Sequence, residues 1–204
     1  MLKESDVHWF PMRVRHSSLP RLQLMLDNID KQKHLLLDND ITLESYAPVR
    51  YIKLNQNKMD FAPYLLNYIF VRSSFSTLVE LKRNMEWFEP LRFVMHPAFD
   101  ADFNRHDEII YIPDKRMDDY RRVSDSDYGN VLFLRDPSIA IDPTAPVQIT
   151  EGPFAGVVGT IKRIKGKRCV VLTISDRQAA AIVDVHRRHL RYLTPVELHE
   201  FGLL

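Results

Sequence analysis

The sequence predicts an α+β protein of two domains, a mixed helix-and-strand region followed by a small barrel of short strands. Three observations point there. The chain has 204 residues, more than one typical small domain and room for about two compact ones. Up to Val123 the apolar spacing switches between the two-residue period of strands and the roughly 3.6-residue period of helices. From Val147 onward short β-rich runs follow one another, and four of the six glycines fall between Gly152 and Gly166.

The elements follow in order. His8 to Arg15 alternates large and polar residues around Trp9, Phe10, Met12 and Val14, which suits a first strand; Pro11 is tolerated if that strand lies near an edge. Ser17 or Ser18 then caps a helix with Pro20 in its first turn and Leu22, Met25, Leu26, Ile29 and Leu36 at helical spacing. Asp27 with Lys31, and Asp30 with His34, form i,i+4 pairs on its solvated face. Ser45 to Leu54 reads as extended and leads into a polar stretch, Asn55 to Asp60, with hairpin-tip chemistry. Tyr64 to Arg72 is the most apolar run, and Tyr68, Ile69, Phe70 and Val71 favour a central strand over a helix. Ser76 to Trp87 returns to helical spacing, and Leu91 to Met95 to strand composition before Pro97 interrupts. A short helix follows over Pro113 to Val123, with Met117 and Tyr120 on one face.

After Ser124, Asp and Gly residues followed by Pro137, Pro143 and Pro146 mark an interdomain connection, in which Val131 to Leu134 is an apolar patch able to pair with either domain. Strands are expected at Val147 to Thr150, Gly156 to Ile164, Arg168 to Ile174 and Ala179 to Val185. Thr194, Pro195 and Glu197 then occupy N-cap, first and third positions of a closing helix.

Hydrophobic residues make up 45% and charged residues 27% of the chain, so each domain can bury a core without metals or disulfides. The single cysteine, Cys169, has no intramolecular partner, which fits a reducing cytoplasm. The N-terminus lacks a basic stretch followed by an apolar run, and no run of about 18 apolar residues occurs. A soluble cytoplasmic protein, a monomer with no membrane contact, is expected. Met1 to Pro146 carries 19 basic and 22 acidic side chains, whereas Val147 to Leu193 carries nine against three, an excess that suits a polyanion or an acidic partner and equally the solvated outside of a small barrel.

The run V147-Q-I-T-E-G-P-F-A-G-V-V-G-T-I-K-R-I is the most specific signal. Gly152-Pro153 makes a tight turn, Phe154 anchors it, Gly156 reverses the chain and Gly159 permits close backbone approach. This run resembles the KOW motif, which implies an SH3-like five-stranded barrel from about Ala145 to Leu193. The run P63-Y-L-L-N-Y-I-F-V, after an extended hairpin and before a helix, resembles the strand-entry motif of NusG N-terminal domains. It departs from that motif at Leu66, where the family usually has proline, although Asn67 still supplies a turn conformation. With both motifs in this order the resemblance to the NusG family covers nearly the whole chain. It implies an N-terminal α/β sandwich over residues 1–128, a linker over 129–144, a KOW barrel over 145–194 and a closing helix over 195–204.

The resemblance also implies roles. In that family a hydrophobic depression receives RNA polymerase, and Tyr68 and Phe70, with Tyr64 and Leu65 as neighbours, match it; alternation leaves either Tyr68 and Phe70 or Ile69 and Val71 as plain core. Operon-specific members place basic residues against non-template DNA, and Arg15, His16 and Arg21 match those positions. Phe154, Lys162, Lys165, Lys167 and Arg168 are the partner-binding candidates of the KOW segment, for a ribosomal protein, a termination factor or nucleic acid.

No catalytic residue, cofactor or metal is expected. Cys169 sits in the apolar run R-C-V-V-L-T-I and reads as a core thiol, and His186-x-x-His189 lacks further ligands. There is no glycine-rich phosphate loop and no G-x-S-x-G elbow. The expectation is a transcription elongation and antitermination factor that binds RNA polymerase, a specialised RfaH-like paralogue serving operons such as those for polysaccharide biosynthesis. The alternatives are a ribosome- or RNA-binding KOW protein without polymerase contact, and an enzyme using Cys169 or His186.

Overall fold

The computed structural model describes residues 5–15, 19–36, 42–55, 58–63, 68–126, 131–134, 146–164, 166–175 and 178–201. It is a mixed α+β chain with several antiparallel sheets, and it divides into two compact units, Met1–Ile112 and Pro113–Leu204.

In chain order the first unit contains β1 (Val7–Val14), α1 (Leu19–Leu36), β2 (Glu44–Tyr46), β3 (Val49–Asn55), β4 (Lys58–Pro63), β5 (Tyr68–Ser74), α2 (Phe75–Asn84), a 3-10 turn (Glu86–Phe88), β6 (Leu91–Phe93), β7 (Met95–Phe99) and β8 (Arg105–Ile109). Four strands form one sheet in the order β2-β5-β1-β6. On one face Phe10, Met12, Val14, Ile69 and Val71 pack with Leu22, Met25 and Ile29 of α1 and Leu78 and Leu81 of α2 in one buried cluster. The helical spacing read from the sequence thus supplies the two apolar stripes that cover this face. Ser74 caps α2 by accepting the Thr77 amide at 3.2 Å.

Pro11 lies in a central strand, contrary to the edge expectation. Its carbonyl accepts the Val94 amide at 3.2 Å, so the position where its missing N–H would point lies on the same side, where β6 has already ended. Beyond it Trp9 and Ile112 exchange two backbone hydrogen bonds, at 3.3 and 2.8 Å. Between Val94 and Ile112 the chain leaves the sheet as the β7–β8 hairpin, and Pro97, rather than interrupting a strand, stands inside β7 opposite Asp107. At the hairpin tip the Asp100 carboxylate accepts the amides of Asp102 and Asn104 at 2.9 and 2.8 Å. The expected hairpin around Asn55 is present as β3–β4, whose register runs from Val49↔Pro63 to Asn55↔Lys58.

The second unit contains α3 (Asp114–Ser124), β9 (Val131–Leu134), β10 (Pro146–Ile149), β11 (Val158–Ile164), β12 (Lys167–Ser175), β13 (Gln178–Val183), β14 (Leu190–Tyr192) and α4 (Pro195–Glu200). Six strands form an antiparallel sheet in the order β14-β10-β11-β12-β13-β9. The apolar patch expected in the linker is therefore β9, paired with β13 through Ala179↔Leu134 to Ile182↔Val131. The helix over Pro113 to Val123, placed with the first domain by the sequence, groups with the second unit. Its Met117, Tyr120 and Val123 are buried, Arg116 donates to the Thr173 carbonyl, and buried Asp119 accepts the Val158 amide at 3.2 Å. The boundary between compact units thus falls before this helix rather than after it. The capping box at Thr194 and Glu197 is formed as expected.

Gly159 is held by packing. A Cβ built there would lie 2.7 Å from the Val171 carbonyl oxygen and 2.8 Å from a Val170 methyl, whereas at Gly166, with φ +80, it would meet open space. Gly159→Ala is expected to lose about 3 kcal/mol of unfolding free energy by overpacking. Gly166→Ala should lose about 1 to 2 kcal/mol, the cost of a left-handed alanine. Urea denaturation separates the two; equal losses would contradict the close approach.

Candidate functional site

In the first unit the register of the sheet lines up chemistry that the sequence keeps far apart. Arg13 of β1 is directly opposite Tyr68 of β5 on one side and Arg92 of β6 on the other, so the three side chains share one row on one face. The Arg13 guanidinium carbon lies 5.8 Å from the Tyr68 ring centroid, within cation–π range. Directly opposed arginines repel, and a neighbouring carboxylate offsets this: Arg92 binds Glu89 at 2.6 Å. That hydrogen bond, then the charge of Arg92, holds the Glu89 carboxyl below its ordinary value, with Lys82 and Arg15 adding to the effect. Lys82 donates to the carbonyls of Glu89 and Leu91, and its pKa is lowered first by burial and then by Arg92.

The turn after β1 completes this basic edge. Arg15 is exposed, its amide donates to the Pro90 carbonyl at 3.1 Å, and Arg21 at the start of α1 donates to the Arg15 carbonyl at 3.2 Å. The sequence nominated Arg15 and Arg21, and the structure brings them together; His16 lies outside the described residues. Lys82 and Arg92 were missed, because only strand pairing carries residue 92 to the side of residue 13.

The aromatic candidates are placed differently. Tyr68 and Phe70 are 5% and 0% exposed, on the sheet face opposite α1 and α2, with the Tyr46 ring centroid 6.2 Å from that of Phe70. Ile69 and Val71 belong to the helix-covered core, so both members of the alternation are buried. Tyr64 and Leu65 lie outside the described residues.

In the second unit the glycine-rich turn has the geometry expected of it. Gly152 and Gly156 have φ +87 and +88, and the Gly156 amide donates to the Ile149 carbonyl at 2.7 Å. Phe154 is 4% exposed, so in this conformation it anchors the turn from inside rather than presenting its ring to a partner. Arg122 of α3 clamps the same turn, donating to the carbonyls of Pro153 at 2.6 Å and Ala155 at 2.8 Å.

The basic hairpin is divided in its duties. Exposed Lys167 pairs with Asp184 at 2.9 Å, which raises the lysine's pKa through that hydrogen bond. Arg168 instead lines a cavity of about 280 Å³ together with Ile161, Arg163, Arg187, Leu190 and Tyr192. Lys162 is half-buried, and Lys165 lies outside the described residues.

Cys169 is fully buried in β12, and burial pushes its thiol pKa up. His189 contacts Glu151 at 3.3 Å, and among the described residues no group of three or more His, Cys, Asp and Glu side chains is placed to hold a metal ion. No helix among them is long and apolar enough to cross a membrane.

No protein-family model and no curated protein matches the chain. It is similar to the solved structure "Domain interaction in Thermotoga maritima NusG", at 16% identity and a TM-score of 0.44, over 94% of this chain and 100% of that one.

The Glu89 contact supplies a pH test. Its folded pKa lies below the ordinary 4.5, so the stability it contributes is present above 4.5 and is lost as pH falls through the folded value. Arg92→Gln should move the Glu89 carboxyl back up toward 4.5 in a carboxyl NMR titration. An unchanged titration would mean that Arg92 does not hold that carboxylate.

Proposed function

We infer that this protein is a transcription elongation factor of the NusG type, which binds RNA polymerase through its first unit and suppresses pausing or termination. The observation that carries the reading is the row of Tyr68, Arg13 and Arg92, flanked by Arg15 and Arg21: an aromatic side chain bordered by cations across three strands at one end of a sheet. Tyr68 is already buried, so its part is to hold the exposed Arg13 guanidinium over its ring, and the flanking arginines add electrostatic attraction to phosphates. The resemblance of the Pro63 to Val71 run to the NusG strand-entry motif, and of the Val147 to Ile164 run to the KOW motif, supports the same assignment.

Under this reading the arginine edge contacts the non-template DNA strand and the second unit recruits a ribosomal protein or termination factor. The protein acts as a cytoplasmic monomer on particular operons, such as those for polysaccharide biosynthesis, without catalysing a reaction. Its effect on polymerase is limited to its differential affinity for the elongating and paused states. Because Arg13 lies over the Tyr68 ring, the arginine is the first group of this row that an incoming partner meets.

The experiment is binding of the purified chain to core RNA polymerase elongation complexes, with pausing recorded alongside. Arg13→Glu with Arg92→Glu should weaken binding at least tenfold, about 1.4 kcal/mol, and abolish the reduction in pausing. Both side chains are exposed, so these changes leave the core intact; Tyr68→Ala should weaken binding similarly wherever it remains folded. No affinity for polymerase at low salt would overturn the reading.

A further inference from the structure

The cavity in the second unit is a collecting point for positive charge, with no carboxylate among its described lining residues. Among the described residues that line it three are arginines, Arg163, Arg168 and Arg187, beside Ile161, Leu190 and Tyr192. Among the described residues none of these three guanidinium groups is matched to a carboxylate. Their neighbours are otherwise engaged: Lys167 with Asp184 at 2.9 Å, Arg191 with Glu197 at 2.7 Å, and Arg188 with the His189 ring at 2.8 Å.

The arrangement also works against the sheet that carries it. Arg163 of β11 and Arg168 of β12 are directly opposite each other, a like-charge cross-strand pair that destabilises an antiparallel ladder. Arg187 joins them from the 3-10 turn Arg187–His189, just before β14. An oxyanion seated among the three relieves that repulsion and receives several charge-assisted hydrogen bonds from planar donors suited to phosphate.

Tyr192 narrows the ligand further. It is 62% exposed on β14 and lines the same cavity, with Ile161 and Leu190 as apolar neighbours. A free phosphate has no use for an exposed aromatic face, but a nucleotide does, because its base stacks while its phosphate meets the arginines. The volume of about 280 Å³ lies near the lower end of ligand clefts, roughly 300 Å³, and accepts a nucleotide-sized group.

We propose that the cleft of Arg163, Arg168, Arg187 and Tyr192 binds a single strand of nucleic acid, the arginines holding successive phosphates and Tyr192 stacking on a base. The site lies wholly within the second unit and does not rest on polymerase binding. Its test therefore contains no polymerase, and the two readings fail separately.

The probe is a fluorescein-labelled 12-mer of oligouridine, measured by anisotropy with the full chain across a salt series; oligothymidine of the same length distinguishes DNA from RNA. The parent should bind at low salt, more tightly to whichever strand the site serves. The triple variant Arg163→Gln, Arg168→Gln, Arg187→Gln should bind at least tenfold more weakly, with the log–log salt slope shallower by about 2, as expected for three lost contacts to a single strand. Tyr192→Leu should weaken binding about fivefold or more with the salt slope unchanged. The strand should raise the melting temperature of the parent but not of the triple variant, whose own melting temperature is at or above the parent's because the cross-strand repulsion is gone.

A control variant in the first unit, Lys31→Gln, Arg83→Gln, Arg105→Gln, removes the same charge and should bind like the parent. Equal loss in the control would overturn the site in favour of diffuse charge attraction. So would absence of binding by the parent at low salt. If Tyr192→Leu binds normally and inorganic tripolyphosphate displaces the strand at equal phosphate concentration, the cleft is an anion site without strand recognition, and the proposal fails.

Discussion

The first unit depends on β1, a strand buried on both faces and paired on both edges. Phe10, Met12 and Val14 point into the helix-covered core, while Trp9 and Pro11 are buried on the opposite face. One edge is satisfied by β5 from Val7 to Arg13. The other is satisfied in relay by Pro90, by β6, by Val94 and finally by Ile112. That relay matters because a buried strand cannot leave its amides unpaired. It explains why a proline is tolerated there, and it brings Arg92 beside Arg13. The basic edge is therefore a by-product of how the central strand solves its hydrogen bonding.

The second unit turns on a different constraint, the tight reversal from Gly152 to Gly156. Two glycines adopt positive φ there, Phe154 fills the interior beneath, and Gly159 lets β11 approach β12. Helix α3 reinforces the arrangement from outside, with Arg122 holding two carbonyls of the turn and Asp119 receiving the Val158 amide. Buried Asp119 is tolerable because Lys115 also binds it, at 2.5 Å, so its charge is paired and hydrogen-bonded. This anchoring of α3 explains why the compact units divide at Ile112 and Pro113.

What the sequence made legible was local. The capping box at Thr194 and Glu197 spans four residues, the glycine turn spans about ten, and the apolar stripes of α1 and α2 recur every turn; each is written in near neighbours. The central position of β5 could also be read, since its unbroken apolar run implies burial on both faces. The misses share a cause. Pro11 looks like an edge residue unless the early end of β6 is known, and Pro97 looks like a strand break unless β8 is there to pair with it. Val131 to Leu134 had two possible partners, and only β13 decided between them. The clustering of Arg92 with Arg13, and of Arg187 and Tyr192 with Arg163 and Arg168, is a product of long-range pairing that no window of sequence contains. Alternation puts Tyr68 and Phe70 on one sheet face, but their burial depends on tertiary packing that alternation alone does not reveal.

Both units share a pattern in which arginines face one another across adjacent strands, Arg13 with Arg92 and Arg163 with Arg168. In the first a nearby glutamate offsets the repulsion; in the second no acidic residue lines the cleft among the described residues. Our proposal has the first unit engage polymerase along the Arg13 and Arg92 row of β1 and β6. Hydrogen–deuterium exchange of the full chain, alone and bound to an RNA polymerase elongation complex, tests it most directly. The account predicts added protection over residues 11–15, 19–22 and 90–94. Protection confined to the second unit, or no change anywhere, would contradict it.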